Sequence, residues 1–423
     1  MMQEHSEDPA LNNARSLLRD EQRKNANTEL PRSKEQLVTD TVLARLEELT
    51  RFVPTEAPDL VRRGAFRYDR KIEEGRIARA QALIRRVAPG PFEDPSYFAI
   101  LAYQASSIEM AYEHMSTQST ERDRFSKFLL GTVHAPEINA FAQRITNDGY
   151  TIVVLYSGLV DFIYQAAKAI AEALKPSRSV NGRSAVNAVF DLEVVRASID
   201  SDHSPAKRLY RTLEAYFFNG YPRASAFETI PEEHYPLLSL IVGMAERWVI
   251  AHEYGHGLAP SFEQAPVSVN ADKAEEYLSD CNATIATVFS AGKLDAVPPE
   301  FPLGSAIFAL ASLDILEKGF NILRTGKETG SDAEPVTHPK SRDRAVAVIN
   351  CFRQFFDVEY HSNGLFDLEF TLRAEVPNTH NFSSEHSKRA YAYANVLQIA
   401  WKPVKERLLE DFHRKRPLHP LWR

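Results

Sequence analysis

The sequence predicts a mainly α protein with a small β-sheet, an α+β fold. Three observations carry that prediction. Apolar residues recur at helical spacing through most of the chain, as in Ile77, Ala80, Ile84 and Val87. One run, Thr151 to Tyr156 (Thr-Ile-Val-Val-Leu-Tyr), is β-branched and apolar enough for a strand, and Asn147-Asp148-Gly149 just before it is a turn signal. Three long helical patterns then follow one another between about 237 and 323. With 423 residues and 44% hydrophobic side chains, the chain can form two or three units of ordinary size around a real core.

Residues 1–36 are polar with few apolar anchors and are expected to form a mobile polar arm or a frayed helix. Residues 37–130 read as a helical N-terminal region. Leu43, Leu46 and Leu49 recur at helical spacing, Pro89-Gly90-Pro91 interrupts the block, and a further helical pattern covers about 95–117. Ile138 to Ala142 reads as extended and should pair with Thr151–Tyr156 across the turn as a hairpin. A helix follows, with Asp161 as its N-cap and Ile163, Ala167, Ile170 and Leu174 on one face. Residues 176–190 form a polar loop, and about 190–220 is mainly helical. The three long helices are placed at about 237–258, 272–291 and 304–323; Gly292 closes the second, with Leu278, Ile285 and Phe289 as its core contacts. A loop at 324–337 leads to a shorter helix after Pro339. The C-terminal region, 351–423, mixes a candidate strand pair (about 355–375) with a helix near 387–411.

Composition excludes several classes. The 50 basic and 57 acidic residues leave a formal net charge of −7, and no basic block marks nucleic acid as a partner. The cluster His413-Arg414-Lys415-Arg416 reads as a solvated tail. Only two cysteines occur, Cys281 and Cys351, which rules out a disulfide scaffold and fits a reducing compartment. The N-terminus has no apolar run of the secretory kind. The most apolar stretch, Ala306 to Leu313, is followed by Asp314, Glu317 and Lys318 and falls short of the roughly 18–20 apolar residues a membrane span needs. The expectation is a cytoplasmic chain without a membrane span. The sequence contains no phosphate-binding Gly-x-x-x-x-Gly-Lys-Ser/Thr loop, no Gly-x-Ser-x-Gly elbow and no Cys-x-x-Cys pair.

The chemistry is concentrated in Trp248-Val-Ile-Ala-His252-Glu253-Tyr-Gly-His256-Gly-Leu258. Two histidines four residues apart on a helix share a face, as two ligands of one tetrahedral Zn²⁺ require. Glu253 stands beside the first ligand, where a carboxylate can act as base toward a metal-bound water whose pKa is lowered to about 7. Catalytic zinc keeps three protein ligands and one open position, so a third ligand is required. A metzincin continuation is excluded, because Ala259 and Phe262 stand where that pattern needs Gly and His. Downstream, Glu276 and Asp280 are four apart on one helical face, so Glu276 can bind the metal while Asp280 accepts the outer N–H of a ligand histidine. Glu275 is the competing ligand; its partner four residues on is Ser279, a poorer orienter.

The pairing of His-Glu-x-x-His with Glu-x-x-x-Asp resembles the gluzincins, and further the clan of HtpX-type heat-shock proteases and CAAX prenyl proteases. Three other segments are similar in the same order. These are Asn139-Ala140-Phe141, the strand and Ser157-Gly158-Leu159 that follow it, and Thr337-His338-Pro339 with Arg344 six residues after the histidine. The landmarks cover about 136–160 and 245–350, close to one third of the chain. The resemblance implies a zincin-like metallopeptidase core over 131–350, with an insertion at about 176–235 where relatives have only short turns. It implies that Asn139, Ala140 and Phe141 form an edge strand that pairs with a substrate backbone. It also implies that His338 and Arg344 lie near the metal, steadying the oxyanion or the catalytic carboxylate.

The expected function is zinc-dependent endoproteolysis of a soluble protein or peptide, with His252, His256 and Glu276 holding Zn²⁺ and Glu253 as base. Prenyl-protein processing is disfavoured by the lack of a span. The alternative is a regulatory or interaction protein that keeps the zinc site but is gated or inactive; the retained Glu253 speaks against it.

Overall fold

The structure, a computed structural model, describes residues 8–25, 39–47, 70–90, 92–115, 125–145, 149–174, 192–201, 204–225, 229–258, 269–294, 297, 300–328, 339–356 and 385–422. Its sheet is built around the strand with the strongest β signal. β3 (Tyr150–Tyr156) is buried along its whole length and lies between β1 (Phe128–Val133), which pairs with it in parallel, and β2 (Ala140–Ile145), which pairs antiparallel. The register runs from Ala140 opposite Leu155 to Ile145 opposite Tyr150. Gly149 closes the hairpin with φ +67°, a conformation that favours glycine, and donates its N–H to Ile145 O at 3.1 Å. The predicted hairpin is present, with β2 shifted two residues downstream and extended.

β1 was not foreseen; its first three residues fell in the region read as helical. Phe-Leu-Leu-Gly-Thr-Val is a short unbroken apolar run, and such a run has no alternation to separate a buried parallel strand from a helix. The outer edge of β1 is sealed by side chains. Arg86 donates to Phe128 O at 3.0 Å, Gln22 donates to Thr132 O at 3.0 Å, and Glu93 accepts the Thr132 N–H at 2.7 Å.

Gln22 belongs to α1 (Pro9–Asn25), a helix within residues 1–36, where a mobile arm or a frayed helix was expected. Ala14, Leu18 and Gln22 are buried at four-residue spacing, and a Cβ at Gly131 would lie 2.7 Å from Leu18 Cδ1, so the helix sits directly on β1. A stripe of one Ala, one Leu and one Gln is too polar to register as apolar periodicity. Gln22 also donates to the Glu93 carboxylate. Burial lifts Glu93 to about 7, against the opposing hydrogen bonds from Thr132 and Gln22. A folded pKa above the ordinary carboxylate value means stability present at low pH is lost as pH rises through about 7. Glu93→Gln is expected to remove that loss. Between pH 4.5 and 7.5 the wild type should lose on the order of 2–3 kcal/mol relative to the variant, read from paired denaturant titrations. Parallel pH profiles for the two proteins would refute this.

Among the described residues, 39–47 are helical, and the further helices are labelled α2 (Arg70–Val87), α3 (Pro95–Met115), α4 (Ser157–Ala173), α5 (Leu192–Ser201), α6 (Ser204–Asn219), α7 (Tyr235–Leu258), α8 (Val269–Leu294), α9 (Glu300–Thr325), α10 (Ser341–Phe356) and α11 (Glu385–His413). α7 is central and packs against α8, α9, α4, α3 and β2. In α4 the predicted face Ile163, Ala167, Ile170 and Leu174 is buried, but Asp161 is not the cap. The helix starts directly from β3 with Tyr156 at the N-cap, and Asp161 lies one turn inside it, accepting the Tyr97 hydroxyl at 2.6 Å.

α8 departs from expectation twice. It runs past Gly292, since one exposed glycine costs a helix only about 1 kcal/mol. Its buried residues are Glu276, Ser279, Asp280, Ala283, Thr284, Ala286, Thr287, Val288, Ser290 and Ala291, while Leu278, Ile285 and Phe289 are half-buried. Close approach to α7 demands small side chains there. At the C-terminal end, Arg416 bonds Glu214 at 2.6 Å and lies 3.9 Å over the Phe218 ring, so the basic cluster is not wholly solvated. The 176–190 loop and most of the candidate strand pair at 355–375 lie outside the described residues; α10 runs through Phe356. No helix among the described residues is long and apolar enough to cross a membrane.

Candidate metal centre

α7 is buried from Leu237 to Gly255 apart from Ser239, Val242 and Gly243, and His252 and His256 come one turn apart near its C-terminal end. Trp248 stacks on His252 with ring centroids 5.7 Å apart, and its indole N–H donates to Thr284 on α8 at 3.1 Å. Gly255 lets the two helices meet: a Cβ there would lie 2.9 Å from Ser279 Cα. This approach brings Glu275, Glu276 and Asp280 to the two histidines.

Each imidazole is oriented by a carboxylate. Asp280 Oδ1 lies 2.9 Å from His252 Nδ1, and Glu275 Oε1 lies 3.0 Å from His256 Nδ1. An ionised carboxylate only accepts, so each Nδ1 donates to its carboxylate and each ring turns its Nε2 the other way. The two Nε2 atoms are 3.1 Å apart, and Glu276 stands 3.4 Å from that of His256 and 3.6 Å from that of His252. Three donors, all within 4.8 Å of one another, therefore converge on one point. Two ring nitrogens and a carboxylate converging in this way favour a positive charge among them. Zn–N bonds of about 2.0–2.1 Å at a tetrahedral angle separate two nitrogens by about 3.3 Å, close to what is found, and two His with one Glu is a catalytic zinc donor set. The residues fit the ion. Against the desolvation that would lower it, hydrogen bonds to Glu275 and Glu276 lift His256 to about 10, so the carboxylates that suit a cation also hold a proton.

Glu253 is buried beside the cluster. Burial raises its pKa, opposed by His252 and His256. Arg344 arrives from α10 and grips Asp280 with two hydrogen bonds, Nε to Oδ2 at 2.8 Å and Nη2 to Oδ1 at 2.7 Å, while Nη1 lies 3.2 Å from Glu276 Oε2. Burial alone would raise the pKa of Asp280; the Arg344 charge and hydrogen bonds outweigh it and keep the carboxylate ionised. Arg344 thus reaches the site through the carboxylates that set the histidines, and its Nη2 also lies 3.4 Å from each ring nitrogen of His252. His338 lies outside the described residues.

Asn139 precedes β2, and its carbonyl accepts the Tyr156 N–H at 3.1 Å. In an antiparallel ladder that contact fixes the alternation: Asn139 and Phe141 direct their backbone toward β3, and Ala140 and Ala142 direct theirs outward. Of the three residues expected to meet a substrate backbone, only Ala140 turns its backbone toward the edge that is unpaired among the described residues.

Two partners of the site escaped the sequence. Arg144 on β2 donates to the carbonyl of His256, through Nε at 2.9 Å and also through Nη2, capping the last turn of α7. Tyr254 donates to the buried Glu109 of α3 at 2.9 Å and stacks on Phe128 at 4.4 Å, fixing the rotation of the helix. Neither had a signal, since a backbone carbonyl and a contact 145 residues away leave no local pattern. Comparison with protein-family models, with curated proteins and with solved structures finds no match to this chain.

Proposed function

We propose that the chain is a zinc-dependent endopeptidase of the gluzincin type, with a zincin-like core similar to that of the HtpX and CAAX prenyl protease clan. The observation that carries the reading is the outward-held Nδ1 atoms: Asp280 and Glu275 set both rings so that two Nε2 atoms and Glu276 converge on one point. His252, His256 and Glu276 would hold the zinc. Bound there, the ion supplies Lewis-acid polarisation of the scissile carbonyl and an acidified water.

The chain's own groups do the rest. Glu253 takes a proton from the attacking water onto its carboxylate and passes it to the leaving amine. Burial that favours the protonated form suits a base that must hold a proton between those steps. The edge of β2, unpaired among the described residues and with Ala140 and Ala142 facing out, suits a soluble peptide or protein bound as an added strand, whereas the other edge of the sheet is sealed. By the same resemblance His338 steadies the oxyanion, while the contacts of Arg344 suit holding the ligand carboxylates.

Elemental mass spectrometry tests the reading. About one zinc per chain is expected in the wild type, and none in His252→Ala. A wild type that carries no metal and takes up none on addition of zinc would end the peptidase reading. Stoichiometric zinc without turnover of any peptide would favour the gated or inactive alternative.

A further inference from the structure

The chain has two cysteines, 70 residues apart in sequence, and the fold brings them together. Cys281 stands on α8 directly after Asp280, and Cys351 stands on α10 two turns after Arg344. Cys351 Sγ lies 3.8 Å from the Cys281 carbonyl oxygen, so the two residues meet across the α8–α10 contact. Both thiols are free. Cys281 is half-buried, whereas Cys351 is 3% exposed, so an oxidant reaches Cys281 first.

We propose that Cys281 and Cys351 form a reversible disulfide on exposure to a peroxide, a redox modification site that ties α8 to α10. The Cys281 sulfur attacks one peroxide oxygen, the O–O bond breaks, and water leaves as Cys281 becomes a sulfenic acid. The Cys351 sulfur then attacks the Cys281 sulfur. The S–S bond forms, the S–O bond breaks, and the departing hydroxide takes the Cys351 proton as a second water. Two thiols are oxidised and one peroxide is reduced to two waters; a dithiol reverses the change by exchange. With Cys351 Sγ already against the Cys281 backbone, rotation of the two side chains is the movement the bond requires, and the bond itself excludes a third partner.

The consequence lies in what the two helices carry. α8 bears Glu276 and Asp280, and α10 bears Arg344, which clamps both carboxylates. A covalent tie one residue past Asp280 keeps that clamp closed when the helices would otherwise separate. The inference concerns the helix pair and stands whether or not a metal is bound between them.

The test is made on the full chain. Reduced protein is treated with a small molar excess of hydrogen peroxide, quenched with an alkylating reagent, digested without reductant and read by mass spectrometry, alongside Cys281→Ser. Expected are loss of two hydrogens, one linked peptide pair holding Cys281 and Cys351, and a Tm about 5 °C higher than that of the reduced protein. Dithiothreitol should reverse all three, and Cys281→Ser should show none of them. Dimers joined through Cys281, or Cys281 driven to sulfinic acid with Cys351 still alkylatable only after unfolding, would overturn the proposal. A linked pair that leaves Tm unchanged would overturn the clamp.

Discussion

Glu253→Gln is expected to keep the metal and to lower peptide hydrolysis by about 10²–10⁴-fold, the range lost with a general base. The side chain keeps its shape and can still accept one hydrogen bond from water, but it can no longer take the proton. Because Glu253 is buried and its neutral form is already favoured, an amide there costs the fold little, and Tm should not fall. The effect should appear in kcat with KM nearly unchanged, since the base acts in the transition state and not in substrate binding. The measurement is turnover of a mixed peptide pool by mass spectrometry, with zinc content and thermal melting on the same preparations. A loss below about tenfold with metal intact would move the base elsewhere.

That prediction rests on residues the sequence could name, and the reason they were nameable is local. His252, Glu253 and His256 lie within one turn and a half of a single helix, and Glu276 and Asp280 within one turn of the next, so helical spacing alone aligns each set. What spacing could not show is how one set meets the other. The approach depends on Gly255 lying against Ser279, and on a small, partly polar stripe along α8 that reads as surface when apolar residues are sought. Glu275 shows the same limit. It competes with Glu276 for one role in sequence, yet the fold gives both a place on His256, one at each ring nitrogen. β1 and α1 escaped for a different reason: the strand lacks alternation, and the helix buries only a short stripe of Ala14, Leu18 and Gln22, the last hydrogen-bonded to Thr132 and Glu93. The hairpin, by contrast, was legible, because a turn that needs positive φ marks itself with glycine.

Arg344→Met is expected to destabilise the fold by about 3–5 kcal/mol, the cost of leaving one member of a buried ion pair without its partner. Asp280 is fully buried, and Arg344 satisfies both of its oxygens, so no water is placed to take over. Adding Asp280→Asn should restore most of that loss, since the uncompensated charge disappears while the shape is kept. The two changes are in contact and should therefore be strongly non-additive. The deficit that persists in the double variant belongs to Glu276, the other carboxylate facing the guanidinium, and should shrink when zinc is added. Zinc affinity should behave differently from stability. Asp280 also holds His252 Nδ1, and an amide that can present its own N–H there no longer enforces the ring's orientation, so both Asp280→Asn and the double variant should bind zinc about 10–100-fold more weakly. Denaturant titration and competition with a zinc chelator on the four proteins separate the two roles. If Asp280→Asn failed to rescue Arg344→Met, the pair would not be acting through charge, and the packing of α10 on α8 would have to supply the stability instead.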